Sequence, residues 1–219
     1  MQTSSSVAKL YTFWRSSAAY RVRMALNLKG LDYQAVPIHF RKDGGQHKTP
    51  EFLAKNPQGL LPLWQEQDWY LAQSLAILEY LEETHPEPSL LPRKPRERAE
   101  VRALTQVIAC EIHPLNNLRV LAYLKQQLGQ DDAAVNQWYR HWVALGFGAL
   151  EARFRSTAGV YCYGDNITLA DCCLVPQVYN ARRFDCDLSP YPEIVRIDQA
   201  LCRLDAVRAA APEQQADAE

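Results

Sequence analysis

The chain has 219 residues, of which 47% are hydrophobic, so it can bury one large core or two modest ones. Its formal net charge of -1 gives no electrostatic reason to expect a nucleic acid or a membrane surface as a partner. No apolar run reaches the roughly 18 residues that a membrane span requires, and Met1 to Lys9 is too polar for a secretory signal. These features predict a cytoplasmic protein.

The first elements of the chain predict a β-α-β unit. Lys9 to Phe13 is typical of a strand, and Ser16 to Lys29 is typical of a helix with a single apolar stripe. Gly30 is expected to end this helix in the left-handed conformation. Tyr33 to Ile38 predicts a second strand, which pairs in parallel with the first through a right-handed crossover.

A short helix and two strands are predicted next. Thr49-Pro50 has the residues of an N-cap and a first helical position, and Asn56-Pro57 ends that helix. Leu60 to Trp64 and Trp69 to Leu71 are typical of two strands joined by a turn. Pro62 is unfavourable within the first of them, because proline removes a donor from the ladder.

A helix from Ser74 to His85 completes the order β-α-β-α-β-β-α, which is that of a thioredoxin-like domain. The order alone does not determine how the strands are arranged. A proline-rich connector follows, and beyond it every element is predicted to be helical. We therefore expect a thioredoxin-like α/β domain over residues 1–86, a linker over residues 87–92 and an all-α domain over residues 93–219.

Three features stand out in the predicted helical domain. Arg96 to Leu128 is expected to form one long helix that Pro114 kinks. Thr168 to Asp171 is a capping-box variant that starts a helix lasting to about Asn180. A further helix is expected to bury an aromatic stripe as core: Trp138, Trp142, Leu145 and Ala149.

The end of the chain predicts one more helix and a frayed tail. Tyr191-Pro192 is expected to open a helix that lasts to about Arg208, and residues 209–219 lack large apolar side chains. The cysteines are interpreted as reduced and buried, since a chain of this length without a secretory signal favours thiols over disulfides. No C-x-x-C motif or metal-ligand spacing occurs among them, so no metal site is predicted: Cys110, Cys162, Cys172, Cys173, Cys186 and Cys202.

Two helix starts carry the residues most suited to chemistry. Ser16 and Ser17 stand where redox proteins of the thioredoxin-like fold have cysteines, so any sulfur chemistry here needs sulfur that a ligand brings. A serine at a helix start can cap the helix, or it can donate to a ligand thiolate and lower its pKa. Gln73-Ser74 repeats the arrangement at a second helix, where backbone N–H groups could hold a carboxylate.

The run from Arg15 to Gly30 closely resembles the signature of zeta-class glutathione transferases. The similarity covers nearly the whole chain, from about Leu10 to Leu204. It continues through Asn56-Pro57, Leu61-Pro62, Gln73 to Ile77, Glu79 to Glu82, Thr168 to Asp171 and Leu174 to Val178. The resemblance implies the glutathione transferase fold, with glutathione as cofactor, a cis Pro62 and a homodimer.

The resemblance also implies site residues. Ser16 and Ser17 would contact the glutathione sulfur, and Leu61 would pair through its backbone with the cysteinyl part. Gln73 and Ser74 would hold the γ-glutamyl end. Four further polar side chains fall where the family lines its site: His47, His113, Asn117 and Arg119.

Two departures from the family pattern affect this expectation. Ala18 occupies a position where many members carry a cysteine, so no protein thiol shares in the chemistry and the two serines become the stronger candidates. His47 and His113 replace what are often glutamines. Arg21 and Arg23 are expected to form structural ion pairs rather than to touch the substrate.

The implied reaction is the cis–trans isomerisation of a double bond in a dicarboxylic enedione, from maleylacetoacetate to fumarylacetoacetate in tyrosine and phenylalanine breakdown. Catalysis needs a thiolate at neutral pH and a cationic pocket for carboxylate and enolate charge. The serines can supply the first. For the second the candidates are Arg15, next to the serine turn, and Arg183, because a guanidinium binds a carboxylate bidentately.

Three other functions stay open at this point. A maleylpyruvate isomerase would carry out the same chemistry on a smaller diacid. A conjugating or dehalogenating transferase would consume glutathione instead of regenerating it. A glutathione-binding adaptor would use the fold as an interaction module without isomerase activity, although the double serine and the candidate arginines argue against it.

Overall fold

The computed structural model describes residues 7–219, so residues 1–6 of the predicted first domain lie outside the described residues. Contacts divide the chain into two compact units. The sheet unit comprises the described residues up to Ser89 together with Leu204–Glu219, and the helical unit comprises Leu90–Arg203. The contacts thus join residues 204–219 to the unit that the sequence analysis ended at residue 86.

The sheet unit is built on a mixed sheet. Its strands, within the described residues, are β1 (Lys9–Thr12), β2 (Gln34–Pro37), β3 (Leu63–Glu66) and β4 (Trp69–Ala72). Their spatial order is β2-β1-β3-β4, with β1 parallel to β2 and antiparallel to β3. The predicted parallel β-α-β unit is therefore confirmed, and the thioredoxin-like arrangement is complete.

Helices α1 (Ser17–Lys29), α2 (Pro50–Lys55) and α3 (Ser74–Thr84) agree with the predicted elements. Gly30 ends α1 with φ +65°, as predicted, and Thr49 caps α2 by accepting from the N–H of Phe52. The Leu61–Pro62 peptide bond is cis, as the resemblance implied.

The prediction for β3 was wrong at its start. The strand begins at Leu63 rather than Leu60, so Pro62 lies before the ladder and no position of β3 has to do without an N–H donor. Trp64 pairs with Leu10 of β1 and with Leu71 of β4, which places this strand between two neighbours.

Helix α1 is the centre of the sheet unit. It packs against α3 and against a C-terminal helix, α9 (Asp205–Ala210). Its sequence predicted one apolar stripe, but nearly all of its residues are buried, including Arg21 at 2% and Arg23 at 0% exposure. Burial of a guanidinium costs free energy unless its charge and its N–H donors are compensated by the surrounding protein.

The end of the chain is ordered, so the predicted frayed tail was wrong. Helix α9 packs against α1, and its carbonyl at Ala206 accepts from Asn27 Nδ2 at 3.0 Å. Asp217 Oδ2 then accepts from the backbone N–H of Trp14 at 3.0 Å, and Glu219 pairs with Lys42 at 2.8 Å. The single last helix is also divided, into α8 (Pro192–Leu201) and α9.

In the helical unit, the predicted long helix is broken. Helix α4 (Pro95–Gln106) continues into a π-helical turn (Val107–Ile112), and α5 (Leu118–Gln126) begins only after a further turn. Pro114 has no N–H to continue the ladder, and Asn117 starts the next helix by accepting from the N–H of Arg119. The sequence suggested a kink, whereas the structure has two helices.

Helix α6 (Asp132–Thr157) buries a different face from the predicted one. Leu145 is 61% exposed, and the tryptophans are only half-buried because they lie at the edge of the buried stripe. The Trp138 indole N–H donates to the carbonyl of Leu115 at 2.8 Å. The core face is rotated by one position and consists of Val135, Tyr139, Val143, Phe147, Leu150 and Phe154.

Helix α7 (Leu169–Arg183) begins with the predicted capping box. The Thr168 N–H donates to Asp171 Oδ2 at 2.7 Å, and the same buried carboxylate accepts from the N–H of Cys162 through Oδ1 at 2.9 Å. None of the six cysteines, all within residues 7–219, forms a disulfide, but the prediction of burial holds only for Cys162, Cys172 and Cys173. Among residues 7–219, no helix is both long and apolar enough to cross a membrane.

Candidate active site

The first predicted site lies at the start of α1. Ser16 is the N-cap, and its Oγ accepts from the N–H of Ala19 at 3.2 Å, so the capping interpretation is confirmed. Ser17 is the first helical residue and is 8% exposed. A hydroxyl that accepts one hydrogen bond keeps its own proton to donate, so the cap leaves the Ser16 O–H able to serve a ligand.

Arg23 stabilises the turn before these serines through hydrogen bonds. Its guanidinium donates to the carbonyl of Trp14 at 2.9 Å and to Thr12 Oγ1 at 3.0 Å. It also donates to the carbonyl of Ala210 in α9 at 3.0 Å. Burial lowers the pKa of Arg23 to about 10, which leaves it charged at neutral pH. The prediction of an ion pair for Arg23 was wrong, because backbone oxygens take the place of a carboxylate.

Arg15 lies between this turn and the serines. Its guanidinium stands over the Trp14 ring, 4.5 Å from the ring centroid, where the face of the indole favours a cation. The residue is half-buried. The structure thus brings Arg15, Ser16 and Ser17 together at one end of α1, where the helix dipole is positive.

The second predicted site lies at the start of α3. Gln73 is at the N-cap position with φ +75°, and it makes no side-chain cap. Its Nε2 donates instead to Gln58 Oε1 at 2.7 Å. Ser74 is 7% exposed, and its Oγ accepts from Arg21 Nη1 at 3.2 Å. The first N–H groups of α3 are therefore not satisfied by a side-chain cap and can bind an anion.

The loop before Leu61 is braced by a residue that the sequence analysis treated only as a helix stop. Asn56 Nδ2 donates to the carbonyl of Leu60 at 2.8 Å, and Asn56 Oδ1 accepts from the N–H of Gln58 at 3.2 Å. The hydrogen bonds of residues 7–219 include none to the Leu61 backbone, so its N–H and C=O can pair with an extended peptide. Asn56 and Gln58 are further candidate site residues, and their only signal in the sequence is an Asn-Pro pair.

His47 lies against the same loop. It belongs to a 3-10 turn (Gln46–Lys48), and a Cβ at Gly59 would come within 3.1 Å of the His47 carbonyl oxygen. The His47 Nδ1 is buried and has no hydrogen-bond partner in the part of the chain that the structure describes. Desolvation, followed by the charge of Lys48, lowers the pKa of His47 from its ordinary value of 6.5. The neutral imidazole therefore dominates at pH 7.

The remaining predicted residues belong to the helical unit. His113, Asn117 and Arg119 all lie in or next to the connection between the π-helical turn and α5, so the structure brings these three together. Asn117 is half-buried and acts as the N-cap of α5, while Arg119 is exposed. Arg183 lies elsewhere, at the exposed end of α7, where its Nη1 donates to Asn180 Oδ1 at 3.2 Å.

The chemistry of the groups in the sheet unit is that of anion binding. The two helix starts offer hydroxyls and N–H groups, and Arg15 offers charge. Within residues 7–219, no three histidine, cysteine or acidic side chains are grouped so that they could hold a metal ion. Such a site can stabilise a thiolate and carboxylates but offers no cysteine of its own at the serine turn.

Comparison with known proteins agrees with this geometry. Residues 10–89 match the family described as "Glutathione S-transferase, N-terminal domain". A protein of Vibrio cholerae named "Probable maleylacetoacetate isomerase" is 52% identical over 95% of this chain and 97% of the relative.

Two solved structures are also similar over nearly the whole chain. A maleylpyruvate isomerase, described as a bacterial glutathione S-transferase in the zeta class, has a TM-score of 0.93 at 48% identity and covers 96% of this chain and 100% of that one. A maleylacetoacetate isomerase of Methylobacterium extorquens with bound malonate and GSH has a TM-score of 0.92 at 42% identity, covering 96% and 99%. The chain therefore belongs to the glutathione S-transferase family and, within it, to the zeta class.

Proposed function

We propose that this protein is a glutathione-dependent cis–trans isomerase that converts maleylacetoacetate to fumarylacetoacetate. The observation that carries the proposal is the start of α1, where two serines stand at a capped helix start in place of a redox cysteine. The isomerases to which the chain is similar, over 95% of its length, point to the same reaction. Glutathione is regenerated in such a reaction rather than consumed.

The residues of the sheet unit fit glutathione. The Leu61 backbone can pair with the cysteinyl part, because it makes no hydrogen bond within residues 7–219. The start of α3, with Gln73 and Ser74, suits the γ-glutamyl carboxylate, since its N–H groups have no side-chain cap. The orphaned His47 Nδ1 is a buried polar atom that a bound peptide can satisfy.

Glutathione, when bound, supplies a thiolate that adds to the conjugated double bond, allows rotation about the resulting single bond and then leaves. The part of the chain is to make that thiolate available. Ser16 and Ser17 donate O–H groups at the positive end of α1, and both the hydroxyls and the helix dipole favour the anionic form of sulfur. Arg23 keeps the turn before the serines in place from the rear.

The substrate's carboxylates need cations. We assign this role to Arg15 and Arg183, whose planar guanidinium groups can bind a carboxylate through two parallel hydrogen bonds. His113, Asn117 and Arg119 are the further polar groups proposed for the site. We also propose, from the family, that the protein is a cytoplasmic homodimer in aromatic amino acid breakdown.

The test is an ultraviolet assay of purified protein on maleylacetoacetate with and without glutathione. We expect fumarylacetoacetate to form only when glutathione is present, with the glutathione concentration unchanged at the end. Loss of glutathione in proportion to turnover would identify a conjugating transferase instead. Binding of glutathione without any turnover would identify an adaptor.

A second candidate, maleylpyruvate isomerase, is favoured by the TM-score of 0.93 to an enzyme of that name. The chemistry is the same and the diacid is shorter. The ratio of kcat/KM on the two cis substrates separates the candidates, because both reactions run with the same cofactor and the same enzyme preparation. A ratio above 1 for maleylacetoacetate supports the first candidate, and a ratio below 1 supports the second.

A further inference from the structure

Arg21 is a buried cation with no role in the catalysis proposed above. It lies on α1 with 2% exposure, and its Nη1 donates to Ser74 Oγ at 3.2 Å. Its Nε and Nη2 atoms are buried and have no hydrogen-bond partner in residues 7–219. Over the same described residues, Arg21 forms no ion pair, although an ion pair was expected from the sequence.

Burial of the Arg21 charge with a single acceptor lowers the stability of the folded protein. An ionised group that is taken out of water loses its hydration, and only a counter-charge or a full set of hydrogen bonds offsets the loss. Arg23, two residues along the same helix, obtains such a set from backbone oxygens. Arg21 has one acceptor only, so a negative charge brought to its neighbourhood would be bound more strongly than by a helix start alone.

We propose that Arg21 is a positioning residue for carboxylate binding at the start of α3. Because the Ser74 oxygen accepts from Arg21, the Ser74 hydroxyl proton is directed away from it and is free to be donated to a ligand. The uncapped N–H groups of this 11-residue helix point to the same place. The Arg21 charge, transmitted through Ser74, strengthens that site for the γ-glutamyl carboxylate, an assignment that rests on the proposed function.

The test compares two ligands that differ in one carboxylate. Calorimetry gives Kd values for glutathione and for γ-aminobutyryl-cysteinylglycine, which lacks only the γ-glutamyl carboxylate. We expect Arg21→Met to weaken glutathione binding about 10- to 100-fold, the effect of losing a charge-assisted hydrogen bond. Binding of the decarboxylated ligand should change less than about threefold. An equal loss for both ligands would overturn the proposal.

A double-mutant cycle tests whether Arg21 acts through Ser74. We expect Arg21→Met to weaken glutathione binding much less in a Ser74→Ala background than in the wild type, because the hydroxyl that it positions is already gone. Arg21→Lys, which keeps the charge and a donor, should restore most of the affinity. Full additivity of the two substitutions, or no rescue by lysine, would contradict the assignment.

Thermal unfolding separates positioning from a structural role. Replacing an uncompensated buried charge by an apolar side chain of similar length is neutral or stabilising, so Arg21→Met should not lower the Tm of the ligand-free protein. Arg23→Met is the control that should lower it. If Arg21→Met does not fold, Arg21→Gln provides the same ligand comparison.

Wild-type protein that binds no glutathione would refute the proposed function, whereas wild-type binding with an unchanged variant would refute only this inference.

Discussion

The starts of α1 and α3 both carry serine, yet they differ in how the backbone N–H groups are satisfied. At α1, Ser16 closes the helix itself by accepting from the N–H of Ala19. At α3, Gln73 makes no cap and Ser74 accepts from Arg21 instead. We call the start of α1 the closed start, because a side chain caps it; it leaves a hydroxyl proton to donate, which suits a thiolate. We call the start of α3 the open start, because no side chain caps it; it leaves backbone N–H groups, which suit a carboxylate.

The two arginines of α1 show the same contrast. Arg23 binds backbone oxygens of the turn before α1 and of α9, so its charge contributes to folding. Arg21 keeps two buried nitrogen atoms without partners in the described chain, so its charge is available to binding. The burial of a charged side chain therefore does not by itself indicate its role. The role depends on how many of its N–H donors have acceptors within the protein.

The largest effect is expected from the serines of the closed start. Ser17→Ala should lower turnover about 100-fold, because removal of one preorganised donor from a developing anion costs roughly 3 kcal/mol. Ser16→Ala should lower turnover as well, and it should also destabilise the fold by about 1 kcal/mol because the cap is lost. Turnover with both cis substrates and urea unfolding check these effects. Full activity of both single variants would refute thiolate activation by serine.

Loss of Arg23 should be the next largest effect. Arg23→Met leaves buried oxygens of Thr12, Trp14 and Ala210 without their donor, and we expect a fall of about 3 kcal/mol in the free energy of unfolding. Chemical denaturation of the ligand-free protein measures it, with Arg23→Lys as the partial replacement. A destabilisation below about 1 kcal/mol would show that the turn is held by other contacts.

A smaller effect is expected at the open start. Gln73 has φ +75°, a conformation that is unfavourable for every residue except glycine. Gln73→Gly should therefore raise stability by up to about 1 kcal/mol, while glutathione affinity falls about tenfold with loss of the amide. Gln67, with φ +51° in the β3–β4 turn, is the matched control. Gln67→Gly should show the gain in stability with no change in affinity.

The smallest effect concerns pH. Burial depresses the pKa of His47 below 6.5 in the folded protein, so below pH 6.5 the unfolded chain binds a proton that the folded protein does not. Stability should therefore decrease as the pH falls below 6.5, and His47→Gln should make that decrease shallower. Unfolding curves between pH 5 and pH 8 measure the slope, with His141→Gln on the exposed face of α6 as the control. An unchanged slope in His47→Gln would contradict the burial argument.

Local signals predicted much of the sheet unit. Gly30 and the Thr49-Pro50 pair are determined by backbone preferences that act within a few residues, and both were confirmed. The capping box of Thr168 and Asp171 was confirmed for the same reason. The prediction of the buried face of α6 was wrong because two tryptophans lie beside the buried stripe. Hydrophobic spacing does not distinguish a residue at the edge of such a stripe from one at its centre.

The sequence by itself determined the order of strands and helices from β1 to α3, the caps at Ser16 and Thr168 and the absence of a cysteine at the turn before α1. These depend on the residue types and on their neighbours in the chain. Only the tertiary structure decided that Asn56 braces the loop before Leu61 and that Arg21, 53 residues from Ser74, reaches its hydroxyl. Contacts between distant segments depend on how helices pack, and no local pattern encodes which donors are left without partners.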